Sequence, residues 1–330
     1  MSVHPVVVGD PTHGVALLAL QLSDGLPRTT LPALLDPAGA RAARALLPAP
    51  DRAPALHLHL NDDLLGPTPA ATLSALADGR RLAITLHDVP QPGEGDARLA
   101  RRLAVYRELA ATADLVVVSS EHERAGMRGA GASCGAVLPL PIDARRVPAD
   151  PRDDATVGVL GWIHPGKGHA AVADALAALD RPATLVALGG VARGHEGLDR
   201  ELAARCARQG VGFRCTGYLA EMEQLREAAR VAVPVSPHRH VSASGSIGSW
   251  LSASRRPLVV DGGYAREVDA RNPGALALTD DLPAGLRAAL ADPASTVLRP
   301  GVRVGPTTAE AAVAQTALLD RWARTRGTTA

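Results

Sequence analysis

Residues suited to bind an anion follow a short apolar run at positions 156–160. The sequence Gly-Trp-Ile-His-Pro-Gly-Lys-Gly starts at Gly161, contains Gly166 and Lys167, and leads into a helical stretch that begins near Gly168. Glycines let a ligand approach the backbone, amides at a helix start attract phosphate, and a lysine adds positive charge. This turn therefore predicts a diphosphate-binding site.

The same turn allows two other interpretations. Residues 161–167 match most of the P-loop pattern G-x-x-x-x-G-K, but Gly168 stands where a Ser or Thr would hold Mg²⁺, and Pro165 fits that loop poorly. A plain glycine turn with an exposed lysine is the other interpretation. We favour the diphosphate site, and we note that Lys167 is the only lysine among 35 basic residues.

A second candidate anion site lies in a serine-rich segment. Ser244, Gly245 and Ser246 follow an apolar run at 231–235 and open a predicted helix. Hydroxyls and amides at a helix start suit an anion, and Arg239 could add positive charge. Ordinary serine capping of the helix is the alternative.

Histidines on one face of a predicted strand are candidates for a second ligand. Leu56-His-Leu-His-Leu alternates, so His57 and His59 project from the same face. With Asp62 or Asp63 they could bind a metal ion, but a third well-spaced ligand is missing, so we expect no metal site. Histidines that line a cleft, or that are satisfied by hydrogen bonds, are the favoured interpretations.

A further polar pair ends the apolar run at 82–86. His87 and Asp88 stand there, just before a proline-rich stretch. Polar groups at the carboxyl end of a parallel strand lie where α/β proteins bind ligands. His87 is therefore a candidate catalytic contact, and a structural histidine bonded to a nearby loop is the alternative.

The elements that must position these residues are apolar runs that alternate with Ala-, Leu- and Arg-rich helical stretches. Most runs lack polar alternation, as expected for strands buried on both faces of a parallel sheet. The alternation predicts an α/β fold with right-handed crossovers. The predicted strands are 5–8, 56–60, 82–86, 115–118, 136–140, 156–160, 183–188, 211–215, 231–235, 257–260 and 275–278. Helices are predicted at 97–111, 169–179, 197–209, 221–229, 246–254 and 307–324.

So many strands exceed one compact sheet, and we expect two Rossmann-like domains. The break is placed at Asp143–Asp154, which is charged, contains prolines and lacks periodicity. We predict an N-terminal domain over residues 1–150, a second domain over 151–305, and a C-terminal helix within 306–330 that packs back on the first domain.

The composition excludes several classes of protein. A formal net charge of +1 over 330 residues, without a basic tract, argues against nucleic-acid binding. No signal peptide or membrane span is recognisable, so a cytoplasmic location is predicted. Arg98, Arg101, Arg102 and Arg107 could form a basic amphipathic helix in peripheral contact with a membrane, and a solvated helix face is the alternative.

The order and spacing of these motifs resemble the retaining GT-B glycosyltransferase family that includes bacterial mannosyl- and glucosyltransferases. The turn at Lys167 resembles the family's G-R-…-x-K-G turn, in which Arg and Lys hold the donor diphosphate. Trp162 stands where that Arg usually is, and His164 is the nearest polar substitute. The strand end at His87 resembles the family's T-x-H-D, whose histidine lies beside the transferred sugar and the acceptor. Gly14 resembles the glycine of the family's first loop, which admits the donor phosphate.

The serine-rich segment resembles the family's E-G-F-G-x-x-x-x-E-A-x-A-x-G-x-P-V-V, anchored here by Pro257-Leu-Val-Val. The two glutamates of that pattern fall at Ser242 and Trp250, so neither position is acidic. Ser244-Gly245 fits the family variant in which a Ser-Gly pair at the helix start takes the phosphates.

The resemblance implies a GT-B fold, with the parallel sheets of two Rossmann-like domains facing a central cleft. It also implies retaining transfer of a sugar from a nucleotide-diphosphate sugar, without a cofactor or a metal. His87 and Lys167 are then the expected catalytic residues. The implied donor contacts are Gly14, His164, Gly166, Lys167, Arg239, Ser242, Ser244, Gly245 and Ser246. The implied contacts of the acceptor, which would be a small molecule, a glycan or a glycolipid, are His13, His57, His59 and Asp88.

Two other functions remain open on the sequence. The missing glutamates suggest a non-catalytic GT-B relative that acts as a binding or partner subunit. A nucleotide-sugar epimerase of the same fold is the other alternative. The absence of a G-x-G-x-x-G fingerprint argues against a dinucleotide-dependent dehydrogenase.

Overall fold

The computed structural model describes residues 3–34, 36–152, 154–238 and 240–325, and the chain divides into two compact units. Unit 1 comprises Met1–Leu140 and Thr308–Ala330, and unit 2 comprises Pro141–Thr307. Each unit is built around one parallel sheet of six strands, as the strand–helix alternation of the sequence predicts.

The sheet of unit 1 has the strand order β2-β1-β3-β4-β5-β6, and every neighbouring pair is parallel. Its strands are β1 (Val3–Val8), β2 (Thr29–Leu31), β3 (Ala55–Leu60), β4 (Arg81–Leu86), β5 (Leu115–Val118) and β6 (Ala136–Val137). Its helices are α1 (Gly14–Leu22), α2 (Pro37–Ala43), α3 (Pro69–Ala77), α4 (Asp96–Thr112), α5 (Glu121–Gly129) and α12 (Thr308–Arg324). Strand β3 is buried along its whole length because it lies between two strands and beneath helices on both faces.

The sheet of unit 2 has the order β12-β11-β10-β7-β8-β9 and is also parallel. Its strands are β7 (Thr156–Leu160), β8 (Thr184–Leu188), β9 (Gly212–Cys215), β10 (Val233–Ser236), β11 (Leu258–Val260) and β12 (Ala277–Thr279). Its helices are α6 (His169–Ala177), α7 (Leu198–Arg208), α8 (Glu221–Arg230), α9 (Gly245–Ser252), α10 (Gly263–Arg271) and α11 (Leu282–Ala291). The carboxyl ends of β7 and β10, the two central strands, lead toward the two predicted anion sites.

The segment that the sequence marks as a linker packs within unit 2, so the boundary between the units lies at residue 140 rather than 150. The amides of Arg145 and Arg146 donate to the carbonyl oxygens of Leu251 and Ser252, at the end of α9. The amide of Asp150 donates to Ala229, near the end of α8. Carbonyl groups in the last turn of a helix lack full intrahelical pairing, and the charged segment supplies further donors to them.

The C-terminal helix α12 belongs to unit 1 and contacts α1. Ala311, Leu319 and Ala323 supply its buried face. Its end is held by Arg81, whose guanidinium carbon lies 4.3 Å from the centre of the Trp322 ring. The same guanidinium donates to the carbonyl oxygen of Ala323 at 3.3 Å, so a cation–π contact and a helix cap act together.

A fully buried arginine holds the end of α8 in unit 2. Arg255 donates to the carbonyl oxygens of Ala229 (3.0 Å), Val231 (2.5 Å) and Ala232 (2.9 Å), and to Thr296 Oγ1 (2.5 Å). Burial lowers its pKa to about 10. The guanidinium therefore donates to several buried carbonyl groups at once, and an apolar side chain would remove all of these bonds.

Candidate functional site

The turn after β7 is shaped by close contacts that require glycine. Gly161 has a φ of +112°, and a Cβ added there would lie 3.1 Å from both Cε and Nζ of Lys167. A Cβ at Gly189 would lie 2.3 Å from the carbonyl oxygen of Gly161. Lys167 therefore lies directly over the backbone at the carboxyl end of β7.

The structure brings the predicted lysine and the predicted serines together within unit 2. Lys167 Nζ donates to Ser246 Oγ at 3.1 Å, and Ser246 Oγ lies 2.9 Å from Ser244 Oγ. Ser244 Oγ is also 3.1 Å from Nε2 of His238. A chain of hydrogen bonds thus joins the turn after β7 to the start of α9, which are 79 residues apart in sequence.

The starts of helices α6 and α9 both lack a capping side chain. Gly168 is the N-cap of α6, and Ser244 is the N-cap of α9, but neither makes a side-chain capping bond. The alternative of ordinary serine capping is therefore wrong for Ser244, whose hydroxyl bonds Ser246 and His238 instead. A Cβ added at Gly245 would meet nothing within 4 Å, so the first residue of α9 faces open space.

The electrostatics around Lys167 favour an anion. Burial lowers the pKa of Lys167 to about 8. Burial, and next the charge of Lys167, lower the pKa of His169 and of His238 to about 3. Among the described residues no carboxylate forms an ion pair with Lys167. A bound anion would offset these unfavourable interactions.

Several buried polar atoms near this turn have no hydrogen-bond partner among the described residues. They are both ring nitrogens of His169, Nδ1 of His238, and Oγ of Ser236 at the end of β10. His169 is only 2% exposed. Each such group costs about 1–3 kcal/mol when left without a partner, so their concentration here suits a polar ligand.

Sequence reasoning missed these polar groups and also an exposed aromatic pair beside the turn. Trp162 and Tyr218 are 50% and 66% exposed, and their rings stack with centres 6.0 Å apart. Tyr218 follows the carboxyl end of β9, and this position was the signal that could have identified it. Two large aromatic faces open to solvent suit a planar ring.

Other predicted donor residues differ in their surroundings. Gly166 lies in a short 3₁₀ turn, and the ring of exposed His164 would lie 3.3 Å from a Cβ added there. Ser242 is buried, and Arg239 lies outside the described residues. Trp250, at the second glutamate position of the resembled pattern, is fully buried and donates Nε1 to the carbonyl oxygen of Val235, so it contacts no ligand.

Three histidines of unit 1, His57, His59 and His87, form a buried cluster, which corrects two predicted acceptor contacts. His57 is 2% exposed and its Nε2 bonds Thr85 Oγ1 at 2.9 Å. His59 uses both ring nitrogens, with Nδ1 3.0 Å from Nε2 of His87 and Nε2 2.9 Å from Oε1 of Gln315 on α12. Neither His57 nor His59 is available to an acceptor, because β3 is covered on both faces.

The His87–Asp88 turn is fixed from α4. Tyr106 donates its hydroxyl to the carbonyl oxygen of His87 at 2.5 Å. Arg102 donates to both the carbonyl oxygen and the carboxylate of Asp88, at 2.8 and 2.9 Å. Asp88 has a φ of +55°, a strained conformation that these bonds hold in place. Burial is the main cause that raises the pKa of Asp88, although its carboxylate edge remains exposed.

Arg102 fits neither the membrane-facing nor the solvated face considered for its helix. It is buried and also pairs with Asp62 and Glu94, at 2.8 and 2.6 Å. Asp62 is thus paired with Arg102. Within the described ranges, no three His, Cys, Asp or Glu side chains are placed to hold a metal ion, and no helix is long and apolar enough to span a bilayer.

His13 and Gly14 lie at the start of α1. His13 caps that helix, with Nδ1 accepting from the amide of Val15 at 3.3 Å. It lies close enough to His87 to contribute to the lowering of the pKa of His87, after burial and His59. A Cβ at Gly14 would meet nothing within 4 Å, so this loop is open on the side of the missing side chain.

Comparisons with known proteins give structural matches only. No protein-family model matches the sequence, and no curated protein sequence matches it. The structure of HepE from Anabaena in complex with UDP-glucose superposes with a TM-score of 0.67 at 18% identity, over 96% of this chain and 94% of HepE. Sucrose-phosphate synthase from Thermosynechococcus elongatus gives 0.68 at 14% identity, over 97% and 99% of the two chains.

A third similar structure is S. aureus TarM, in a complex that contains UDP. It gives a TM-score of 0.63 at 11% identity, over 87% of this chain and 58% of TarM. Such identities establish a common fold and leave activity open. The chain is therefore similar in structure to HepE and to sucrose-phosphate synthase over nearly its full length, and it has an α/β GT-B fold of two Rossmann-like domains.

Proposed function

We propose that this protein is a glycosyltransferase that uses a nucleoside diphosphate sugar as donor. The observation that carries the proposal is the hydrogen bond from Lys167 to Ser246, which joins a lysine without a carboxylate partner among the described residues to the uncapped start of α9. Structures of HepE and TarM that hold UDP share the fold.

The diphosphate would take the place of missing partners at this site. Its oxygens would accept hydrogen bonds from Lys167 and from the amides at the starts of α6 and α9. As the glycosidic bond breaks, negative charge grows on the leaving diphosphate, and these groups would stabilise that charge more in the transition state than in the bound substrate. The stacked Trp162 and Tyr218 offer a surface for a planar nucleobase.

Unit 1 would contact the acceptor through His13, His87 and Asp88. Asp88 keeps an exposed carboxylate while Arg102 fixes its backbone, so it could orient a hydroxyl. We propose retention of configuration, and transfer without a metal ion, because the resemblance to retaining GT-B enzymes implies both. A cytoplasmic location remains part of the same proposal.

A binding or partner subunit is the second candidate, and one observation favours it. Ser242 and Trp250 occupy the positions of the two glutamates in the resembled pattern, and both are buried. Without those carboxylates, the chain could bind a nucleotide and transfer nothing. An epimerase of the same fold would instead convert the sugar without releasing the diphosphate.

Binding is tested by calorimetry with UDP, GDP, ADP and dTDP on the wild type, Lys167→Met and Ser249→Ala. Lys167→Met keeps the length of the side chain and removes its charge. Ser249 lies on α9 but its hydroxyl bonds the carbonyl oxygen of Gly245, so its variant serves as the control. We expect one nucleotide to bind the wild type and the control, and to bind Lys167→Met at least about tenfold more weakly. Equal affinity for all three proteins would remove the basis of the proposal.

Turnover separates the candidate functions. The wild type is incubated with UDP-glucose, with and without EDTA, and proton NMR follows the sugar. Release of UDP with an α-configured first product supports retaining transfer to water or to an added acceptor. Conversion to another UDP-sugar identifies an epimerase, and tight binding without turnover identifies a binding subunit.

A further inference from the structure

Three side chains from separate elements of unit 1 form a continuous hydrogen-bonded chain. Gln315 on α12 bonds His59 on β3, and His59 bonds His87 just after β4. All three are more than nine-tenths buried. The planes of the two imidazoles differ by 17°, and a distance of 5.2 Å between ring centres fits a bond along the line of the two nitrogens, which lie 3.0 Å apart.

The pattern of donors along this chain follows from its first member. Burial is the main cause that lowers the pKa of His59 to about 4 and that of His87 well below its ordinary value, so both rings are neutral at pH 7. A neutral imidazole has one N–H and one lone pair. The carbonyl oxygen of Gln315 accepts from His59 Nε2, so His59 Nδ1 carries a lone pair and must accept from His87 Nε2. His87 is then left with its lone pair on Nδ1.

We propose that Gln315 is a positioning residue that fixes, through His59, the tautomer of His87 with the proton on Nε2 and the lone pair on Nδ1. Within the described part of the chain, Nδ1 of His87 makes no hydrogen bond, so the fixed lone pair is available to a ligand hydroxyl. The ligand class is a polyhydroxylated molecule such as a sugar, and this identification rests on the proposed function. His13 and His57 are the other titratable groups that act on this pair of rings.

The role of Gln315 goes beyond packing because the oxygen and the nitrogen of its amide would favour opposite tautomers of His87. An acceptor at this position sets one tautomer of His87, and a donor would set the other. A side chain of similar size without polar atoms sets neither. Glutamate keeps the acceptor and nearly the same shape, so Gln315→Glu should preserve the tautomer and Gln315→Met should lose it.

Nitrogen-15 NMR of the histidine rings in the full chain tests the proposal at pH 7. The wild type and Gln315→Glu are expected to show His87 protonated on Nε2 and unprotonated on Nδ1, and Gln315→Met to show both tautomers. Thr316→Ala, an exposed change on the same helix, is the control for helix integrity and should match the wild type. His87 protonated on Nδ1 in the wild type, or a single unchanged tautomer in Gln315→Met, would overturn the proposal.

A kinetic measurement shows whether the tautomer matters to the proposed activity. If about half of Gln315→Met carries the wrong tautomer, its turnover of UDP-glucose should fall about twofold, and Gln315→Glu should restore it. The NMR result does not depend on turnover. An inactive protein with the expected tautomers would therefore refute the proposed glycosyltransferase activity and support the role of Gln315 in fixing the tautomer. An active protein with the opposite tautomers would support the glycosyltransferase activity and refute the role of Gln315.

Discussion

A methyl group added at Gly245 distinguishes a ligand site from an ordinary helix start. The position is the first residue of α9, and a Cβ there would meet nothing within 4 Å. Its φ is not in the left-handed region, so alanine fits without strain. Glycine costs up to about 1 kcal/mol relative to alanine within a helix. Gly245→Ala should therefore leave the free energy of unfolding unchanged or raise it, with a gain in Tm of at most roughly 2–4 °C.

The same methyl should weaken nucleotide binding. A phosphate held by the amides at the start of α9 would contact the added carbon and lose hydrogen bonds to a charged group, which contribute about 1.5–3 kcal/mol each. Loss of one such bond predicts a decrease in UDP affinity of roughly ten- to hundredfold. Calorimetry gives the affinity, and a thermal melt without ligand gives the stability.

Two matched variants control for effects of the helix itself. Gly248→Ala adds the same methyl on α9, at an ordinary 3.7 Å from Ile142 Cγ1, and should leave UDP affinity unchanged. Gly168→Ala should destabilise the protein, since its φ is +85° and its Cβ would lie 2.8 Å from Pro237 Cγ. Wild-type affinity for UDP in Gly245→Ala would refute the placement of the diphosphate.

Four further predictions concern charge and stability. Because the pKa of Lys167 is about 8, UDP affinity should fall by up to about tenfold per pH unit above pH 8, and calorimetry on Lys167→Met should show no such dependence. The unfolded chain binds more protons than the native one between pH 8 and 10.5, so this lysine makes the free energy of unfolding rise with pH over that window. Arg255→Met should lower the free energy of unfolding, measured with urea, by about 3 kcal/mol or more, because several buried carbonyl groups lose this donor. The control is Arg256→Met, which changes a half-buried arginine and should lower the free energy of unfolding less. Trp322→Ala should lower the free energy of unfolding by about 2 kcal/mol and speed proteolysis near the end of α12, because Arg81 loses its aromatic partner. An unchanged rate of proteolysis would contradict that role of Trp322.

Local sequence patterns predicted most of the strands because buried parallel strands are continuous apolar runs. Leu115–Val118 and Thr156–Leu160 have the predicted bounds. Strand β2, Thr29–Leu31, was missed because three residues are too short to show a pattern. Strand β6 ends at Val137 rather than at 140, because Pro139 has no amide to donate to a neighbouring strand.

The site was predicted less completely because it depends on contacts between distant segments. The sequence identified Lys167 and Ser246 separately, and only the packing of α9 beside β7 shows that they bond. His169 looked like an ordinary first residue of a helix, and its burial without a partner has no sequence signal. His57 was predicted as an acceptor contact and proves to be buried and hydrogen-bonded, because alternation shows which residues share a face and not what covers it.

Lys167 is also a site for selective chemical labelling. The chain has 35 basic residues, of which this one alone is a lysine, so its side chains offer a single primary amine to acylating reagents. With a pKa of about 8, a sizeable fraction of that amine is nucleophilic near neutral pH. An N-hydroxysuccinimide ester should therefore modify one side chain, and intact-mass spectrometry of the purified protein should report its protection by a bound ligand.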